Sequence, residues 1–204
     1  MTLLLLVAAY LVATVGIGVY ASRRVGDARD FALASQQLPL IMVITATFAT
    51  WFASETVLGV PAKFLEGGLA ETTEDPYGAG LALVVVGLFF ARRLYRLGLL
   101  TIGDFYRRRY GRAVEVFAAS VILLSYLGWV AAQVTALGLV FEVLTDGAMS
   151  SVQGMVLGTA VVFVYTTLGG LWSVAIADLV QMFVVVAGLT VIAFLAADLA
   201  GGVG

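Results

Sequence analysis

The amino-acid sequence predicts an all-α membrane protein, a polytopic bundle of six transmembrane helices. Of its 204 residues, 62% are hydrophobic and 12% are charged, whereas soluble domains are about half apolar and about a quarter charged. The mean hydropathy is +1.06. The apolar residues form six stretches, each long enough to cross about 30 Å of hydrocarbon at about 1.5 Å per residue. These stretches lie near residues 2–22, 39–65, 76–97, 113–141, 150–168 and 172–199.

The chain contains no cysteine and no histidine. Their absence removes disulfide frameworks, thiol redox motifs, Cys/His zinc sites and histidine-based acid–base catalysis. The sequence also shows no nucleophile–base pair and no cluster of metal-ligating side chains. We therefore expect that the protein is not an enzyme, that it has no cofactor, and that nucleic acid is not among its partners.

The first apolar stretch, residues 2–22, could be mistaken for a signal peptide. It has no basic residue before its apolar core, and Arg23 and Arg24 follow the core, which is the reverse of a signal peptide's order. We predict a retained span.

We expect the next two helices to begin at Pro39 and at Asp75 with Pro76. Proline suits the first turn of a helix, and an aspartate side chain can cap its free amides.

The later boundaries carry capping signals. Thr101 with Asp104 and Ser150 with Gln153 have the spacing of capping boxes. The first of these precedes residues 105–110, where aromatic residues flank a cluster of three arginines. That segment is either a short helix in the lipid headgroup layer or a solvated charged loop. A pair of glycines at 169 and 170 separates the last two stretches, so we expect these two helices to be antiparallel neighbours.

The basic residues give the orientation. Of the eleven Lys and Arg residues, only Lys63 falls on the side opposite the loops that follow the first and third stretches. By the positive-inside rule the other ten mark the cytoplasm, which places the amino terminus outside. After six crossings the carboxyl terminus is outside too. The ten are Arg23, Arg24, Arg29, Arg92, Arg93, Arg96, Arg107, Arg108, Arg109 and Arg112.

The second apolar stretch is unusual because it contains Glu55, Gly59 and Pro61 within residues 48–61. A carboxylate at a helix centre costs about 2.5 kcal/mol or more in lipid, so Glu55 should face protein or water, or be protonated. Pro61 has no amide hydrogen and Gly59 weakens the helix further, so a break is expected there. Freed carbonyls at membrane depth can bind cations when they line a cavity. The alternative is a simple proline kink in which Glu55 pairs with a neighbouring helix.

Two further groups of polar residues lie inside predicted spans. Tyr126, Trp129 and Gln133 share one helix face at i, i+3 and i+7. They either line a substrate cavity or form interhelical packing with one polar tie. Asp178 and Gln181 lie about two turns into the last span. Asp178 either belongs to an ion exit path or is a shallow carboxylate that reaches the headgroup layer or pairs with an inner-loop arginine.

Several blocks together resemble the sodium/solute symporter family. They are RDFALASQQLP at 29–39, the stretch FATWFASETVLGVP at 48–61, LTIGDF at 100–105, RRYG at 108–111 and YTTLGGLWSVAIADLVQ at 165–181. The resemblance implies a leucine-transporter-like fold, in which a leader helix precedes two five-helix repeats of inverted topology. Within a single transmembrane domain spanning 1–204, residues 1–22 match the leader and residues 38–199 match the first repeat.

The resemblance also implies site residues. Family members bind sodium partly through main-chain carbonyls in an unwound helix, and alignment through Gly59 and Pro61 places these positions at Ala49 and Phe52. The family's acid near the intracellular sodium route aligns with Asp178.

Substrate positions follow from the same alignment. Ser54, Glu55 and Thr56 are similar to substrate-contacting positions in sugar-carrying members, and we add Tyr126 and Gln133 as candidate substrate contacts. Proline-carrying members have an acid where this chain has Trp51, which makes proline a less favoured solute.

The function that the resemblance implies is sodium-coupled symport of a small polar solute across the plasma membrane by alternating access. Sodium is then the coupling ion, and the solute and the lipid bilayer are the other partners. The alternative is a symporter-like membrane sensor or an interaction module of a signalling protein. More spans with Ser or Thr near the midplane in downstream sequence would favour transport, and a soluble kinase-like domain would favour sensing.

The remaining sodium ligands of the family are hydroxyls on a helix of the second repeat, and this second repeat is absent from the 204 residues. We therefore expect the chain to be a fragment of a symporter, and we predict that the isolated chain does not transport. Sodium-dependent uptake into liposomes containing only this chain should equal uptake into empty liposomes. Robust uptake would contradict the expectation.

Overall fold

The structure is a computed structural model that describes residues 2–199 and residue 201; for residues 2, 3 and 55 it describes only the main chain. The described elements are all helical, with no strand among them, which confirms the all-α prediction. The α-helices are α1 Thr2–Ser22, α2 Ala28–Leu33, α3 Leu40–Trp51, α4 Val60–Gly67, α5 Ala79–Val85, α6 Arg92–Arg96, α7 Ile102–Tyr110, α8 Arg112–Leu144 and α9 Ser151–Leu199. Short 3-10 or π-helical segments occupy Ala34–Gln36, Glu55–Gly59, Gly68–Thr72, Thr73–Gly78 and Val86–Ala91.

Length and composition make four described helical stretches able to cross a membrane: Leu4–Ser22, Thr56–Arg96, Arg112–Leu144 and Ser151–Leu199. A fifth is possible if Ala28–Gln36 and Leu40–Trp51, which meet at 106°, form one broken span. A multi-pass helical protein is therefore supported, whereas the count of six stays a prediction.

Two of these stretches are longer than one crossing needs. They contain 41 and 49 residues, and about 20 residues span the hydrocarbon. Each also contains a residue with non-helical torsion angles, Asp75 in the first and Gly170 in the second.

The chain divides into two compact units, residues 1–51 with 160–204 and residues 52–159. The core of the first unit is small. Ala21, Ala34 and Trp172 are buried together. The guanidinium of Arg24 lies over the Trp172 ring, 4.9 Å from its centroid. Such cation–π contacts stabilise a cation beside an indole, so this arginine at the end of α1 caps the core of the unit.

Glycines allow α1 and α9 to approach closely. A Cβ atom at Gly18 would lie 2.7 Å from the Cα of Tyr165, and one at Gly169 would lie 2.9 Å from the Cβ of Ala21. Helices in lipid associate through such small residues because they gain van der Waals contact and little hydrophobic energy from association. The packing of this pair therefore depends on the absence of side chains at two positions.

The segment before α3 has an unusual backbone. Its 3-10 turn Ala34–Gln36 has positive φ angles of 48°, 48° and 58°. Non-glycine residues seldom adopt these angles and do so only when the surroundings impose them. The carboxylate of Asp30 contacts this turn: it accepts the hydroxyl of Ser35 and also the amide of Gly26 at 3.1 Å.

The second unit confirms the capping predictions. Asp104 accepts the amide of Thr101 at 2.9 Å and completes the capping box of α7. That hydrogen bond, with a second from the amide of Leu100, lowers the pKa of Asp104. The amide of Ser150 donates to Oε1 of Gln153 at 2.9 Å at the start of α9. Residues 102–110 are therefore a helix and not an irregular loop.

Gly170 should be intolerant of any side chain. Its φ of 52° and ψ of −143° lie in a region that only glycine adopts readily, and a Cβ there would lie 2.8 Å from Cδ2 of Phe31. We predict that Gly170→Ala lowers the melting temperature of the purified protein, with about 1–3 kcal/mol coming from backbone strain alone.

Gly188→Ala is the matched control. Gly188 lies in the same helix as Gly170, and a Cβ atom there would have no neighbouring atom within 4 Å. Alanine is favoured over glycine in a helix interior, so this variant should melt no lower than the wild type. Equal losses in the two variants would contradict a special conformation at Gly170.

Candidate functional site

The helical backbone is interrupted immediately after α3. Phe52 and Ala53 are not helical, and the π-helix Glu55–Gly59 follows. This interruption lies about two turns before Pro61, which occupies the first turn of α4. The wider π turns remove the clash between the proline ring and the carbonyl four residues earlier, so the chain passes through Gly59 and Pro61 without leaving a helical path.

Ala49 and Phe52 lie at the two edges of this interruption. Ala49 is half-buried in the last turn of α3, and Phe52 is the first residue beyond the helix. Main-chain carbonyl oxygens are ligands for hard cations where a helix is interrupted. The sodium roles of Ala49 and Phe52 stay predictions.

Ser54 and Gln133 are brought together from positions 79 residues apart. The Ser54 hydroxyl donates to Oε1 of Gln133 at 2.7 Å, and the Ser54 amide donates to the same oxygen at 3.3 Å. The Nε2 atom of Gln133 is buried, and it has no hydrogen-bond partner among the described residues. A buried amide nitrogen without an acceptor costs about 1–3 kcal/mol, so this nitrogen favours a ligand with an oxygen acceptor.

Thr56 has a partner that the sequence did not predict. Its hydroxyl donates to Oδ2 of Asp75 at 2.9 Å. The sequence suggested that Asp75 caps a helix, but in the structure Asp75 has a non-helical backbone and accepts this hydroxyl, and α5 begins only at Ala79. Beside this bond lies a cavity of about 300 Å³, whose lining includes Gly59, Val60, Lys63, Glu71, Thr72, Glu74 and Asp75.

Tyr126 contacts Trp129 in the same helix. The two rings meet edge to face with centroids 6.2 Å apart, and both rings are exposed. Gln133, one turn further along α8, is half-buried against Ser54. The helix spacing therefore predicted the contact between Tyr126 and Trp129 within α8, but it did not predict that the Gln133 side chain bonds to Ser54, which lies far away in the sequence.

Asp178 is half-buried in α9, eight residues after Gly170. One turn further, Nε2 of Gln181 donates to the hydroxyl of Tyr10 at 2.5 Å and links α9 to α1. The sequence offered one signal for this link: Tyr10 and Thr14 place two hydroxyls on one face of an otherwise apolar helix. The Thr14 hydroxyl returns to the carbonyl of Tyr10 at 2.9 Å.

Glu55 begins the π-helix, and its side chain lies outside the described part of the structure. Its predicted role as a substrate contact therefore stays a prediction, as do the sodium roles of Ala49, Phe52 and Asp178.

Comparison with known proteins decides the family. The model of the sodium:solute symporter family matches residues 31–204. The chain belongs to this family. It is 29% identical to a high-affinity choline transporter 1 of Drosophila melanogaster, over 85% of this chain and 28% of that protein. It is 31% identical to the high affinity choline transporter 1 of Homo sapiens, over 69% of this chain and 24% of that protein.

A sodium/glucose cotransporter of Vibrio parahaemolyticus is 27% identical, over 96% of this chain and 36% of that protein. The chain thus spans about a third or less of the length of these curated relatives. No solved structure gives a significant match. The family and these relatives are transporters, which agrees with the prediction of a non-enzymatic, multi-pass membrane protein in sodium-coupled symport.

The bond between Ser54 and Gln133 should appear as an energetic coupling. We predict that Ser54→Ala and Gln133→Leu are non-additive by about 0.6 kcal/mol, and by no more than about 1.7 kcal/mol, the range for interhelical hydrogen bonds in membranes. The measurement is a double-mutant cycle on reversible denaturation of the purified protein.

Thr135→Ala provides the control cycle with Ser54→Ala. The Thr135 hydroxyl bonds only to the carbonyl of Ala131 in its own helix among the described contacts, at 2.9 Å. This second pair should be additive. Additivity for Ser54 with Gln133 as well would show that the bond contributes nothing to stability.

Proposed function

We propose that this protein couples inward sodium movement to uptake of a small polar solute, by alternating access around the interruption after α3. The observation that carries the proposal is the non-helical break at Phe52 and Ala53, close to the buried amide nitrogen of Gln133, which has no hydrogen-bond partner among the described residues. A break of this type supplies main-chain oxygens and an orientable polar group at one place, which is how related transporter folds build their sites.

In this proposal the sodium ligands include the carbonyls of Ala49 and Phe52, with Asp178 on the intracellular route. Ser54, Glu55 and Thr56 contact the solute. The support for Ser54 is its bond to Gln133, and the support for Thr56 is its bond to the carboxylate of Asp75. Both hydroxyls are thereby held in fixed positions from which an exchange of partners can accompany solute binding.

We further propose six crossings, with the amino terminus outside and the protein in the plasma membrane. Support comes from the ten-to-one distribution of basic residues. Support also comes from the non-helical residues Asp75 and Gly170, which lie near the middle of the two helical stretches that exceed one membrane thickness.

The first solute to test is choline or a similar small organic cation. Two relatives of this chain are named choline transporters. The exposed edge-to-face pair of Tyr126 and Trp129 offers aromatic faces, which attract organic ammonium groups by about 0.5–2 kcal/mol. Glucose and monocarboxylates are the competing solutes, since other relatives are named for them.

The test is uptake of labelled choline, glucose and a monocarboxylate by cells that express the complete natural protein, in sodium and in potassium medium. We expect sodium-dependent choline uptake that unlabelled choline suppresses. Sodium-dependent uptake of glucose or of the monocarboxylate instead would show that choline is not the solute, while the proposal of sodium-coupled uptake would stand. Uptake of none of the three above that of control cells, with the protein present at the surface, would contradict the proposed transport of this solute range.

Glu55→Ala should lower sodium-dependent uptake at least about tenfold, because a carboxylate at this depth is retained only where it has a partner or a ligand. The amount of protein in the membrane should be unchanged. Glu66→Ala is the control, since Glu66 lies exposed at the end of α4. Normal uptake by Glu55→Ala would contradict this prediction and would indicate that Glu55 only packs against neighbouring helices.

A further inference from the structure

A groove lies where the short helix α7 meets the long helix α8. Its volume is about 450 Å³, and it combines two arginines and a glutamate with apolar and small residues of α8. The lining residues are Arg107, Arg112, Glu115, Val116, Ala119, Ser120 and Leu123. The charged residues lie at one end and the apolar ones continue along a helix that is long and apolar enough to cross the membrane.

The backbone fixes the geometry of the groove. Gly111 joins α7 to α8 with a φ of 88°, an angle that favours glycine, and it allows the chain to turn sharply between the two helices. Gly103 of α7 is buried, and a Cβ there would lie 3.8 Å from Cγ of Glu115. A hydrogen bond of 2.9 Å from Nη1 of Arg108 to the carbonyl of Leu97 ties α7 to the preceding segment. These features fix the position of α7 relative to α8 and to the segment that precedes α7.

The charged end has a surplus of positive charge. Nε of Arg107 lies 3.7 Å from the carboxylate of Glu115, whose side chain is only 23% exposed. Arg112 forms no salt bridge with any residue that the structure describes. Glu115 thus offsets one of the two arginines, and the other remains available for an anion.

The apolar part continues along one side of α8. Val116, Ala119 and Leu123 follow at i, i+3 and i+7, so they form one stripe that begins one turn after Arg112. The small side chain of Ala119 leaves room between its larger neighbours. Ser120 adds a hydroxyl beside this stripe. A ligand that matches the groove has an anionic head, a polar junction and a hydrocarbon tail.

We propose that this groove binds one anionic phospholipid, with its phosphate at Arg112 and Arg107 and an acyl chain along Val116, Ala119 and Leu123. Basic pockets at the end of a membrane span attract anionic head groups, and α7 carries the aromatic and basic residues of an interfacial helix. A free phosphate would use the arginines but not the apolar stripe, which is why the lipid is the better occupant. The proposal does not depend on which solute the protein carries.

The test is a titration of the purified protein in neutral detergent, with the melting temperature as readout. The additives are phosphatidylglycerol, phosphatidylcholine and glycerol phosphate. We expect saturable stabilisation by phosphatidylglycerol only. Arg112→Gln should raise the half-saturating concentration of phosphatidylglycerol about fivefold, the effect of one basic residue at a membrane surface. Glu115→Gln should lower that concentration, because it removes a negative charge from the groove.

Two further variants complete the test. Arg92→Gln removes an exposed arginine outside the groove and should leave the titration unchanged. Ala119→Trp fills the groove without changing any charge and should abolish the stabilisation, which keeps the proposal testable if Arg112→Gln does not fold. Equal effects of the two phospholipids, an equal effect of glycerol phosphate, or equal losses in Arg92→Gln and Arg112→Gln would each overturn it.

Discussion

In a bilayer, every main-chain amide and carbonyl must find a partner inside the protein, because hydrocarbon offers none. The segment after α3 meets this constraint partly through a side chain. The Ser54 amide donates to Oε1 of Gln133 at 3.3 Å, whereas the Val57 amide makes the usual helical bond to the carbonyl of Ala53 at 3.1 Å. The interruption can exist because a glutamine from a distant part of the sequence supplies the missing acceptor. In the proposed function, this replacement of a helical bond by a side-chain bond is what lets the segment bind an ion or a solute.

The first unit shows how the remaining polar groups are satisfied. The hydroxyls of Thr14, Thr45 and Ser173 are buried, and each returns to a carbonyl of its own helix three or four residues earlier. These hydroxyls therefore form their hydrogen bonds within one helix and do not link α1 to α9. The distance between α1 and α9 is set by the glycine contacts. The bond from Gln181 to Tyr10 then joins these two helices near Asp178.

The sequence predicted the features that depend on neighbouring residues. Long apolar helices, the two capping boxes and the helical conformation of α7 follow from patterns within a few turns, and the structure agrees with them. It did not predict the position of the interruption, because Pro61 weakens the helix locally whereas the π turns and the bond to Gln133 move the break to Phe52. Nor did it predict the contact of Thr56 with Asp75. Pairings between distant segments leave no local pattern, and a lone polar residue in a span indicates only that some partner exists.

The claim at the centre of this account is that sodium binds at the interruption between Trp51 and Ser54. The 204 residues contain no cysteine, so a single cysteine in place of Ala53 reports on this segment once any cysteine elsewhere in the complete protein is replaced by serine. The direct measurement is its alkylation rate in the complete natural protein, in sodium and in potassium, with a cysteine at Ala148 as the loop control. The account predicts that sodium slows alkylation at position 53 and leaves position 148 unchanged. Equal rates in the two cations at position 53 would contradict it.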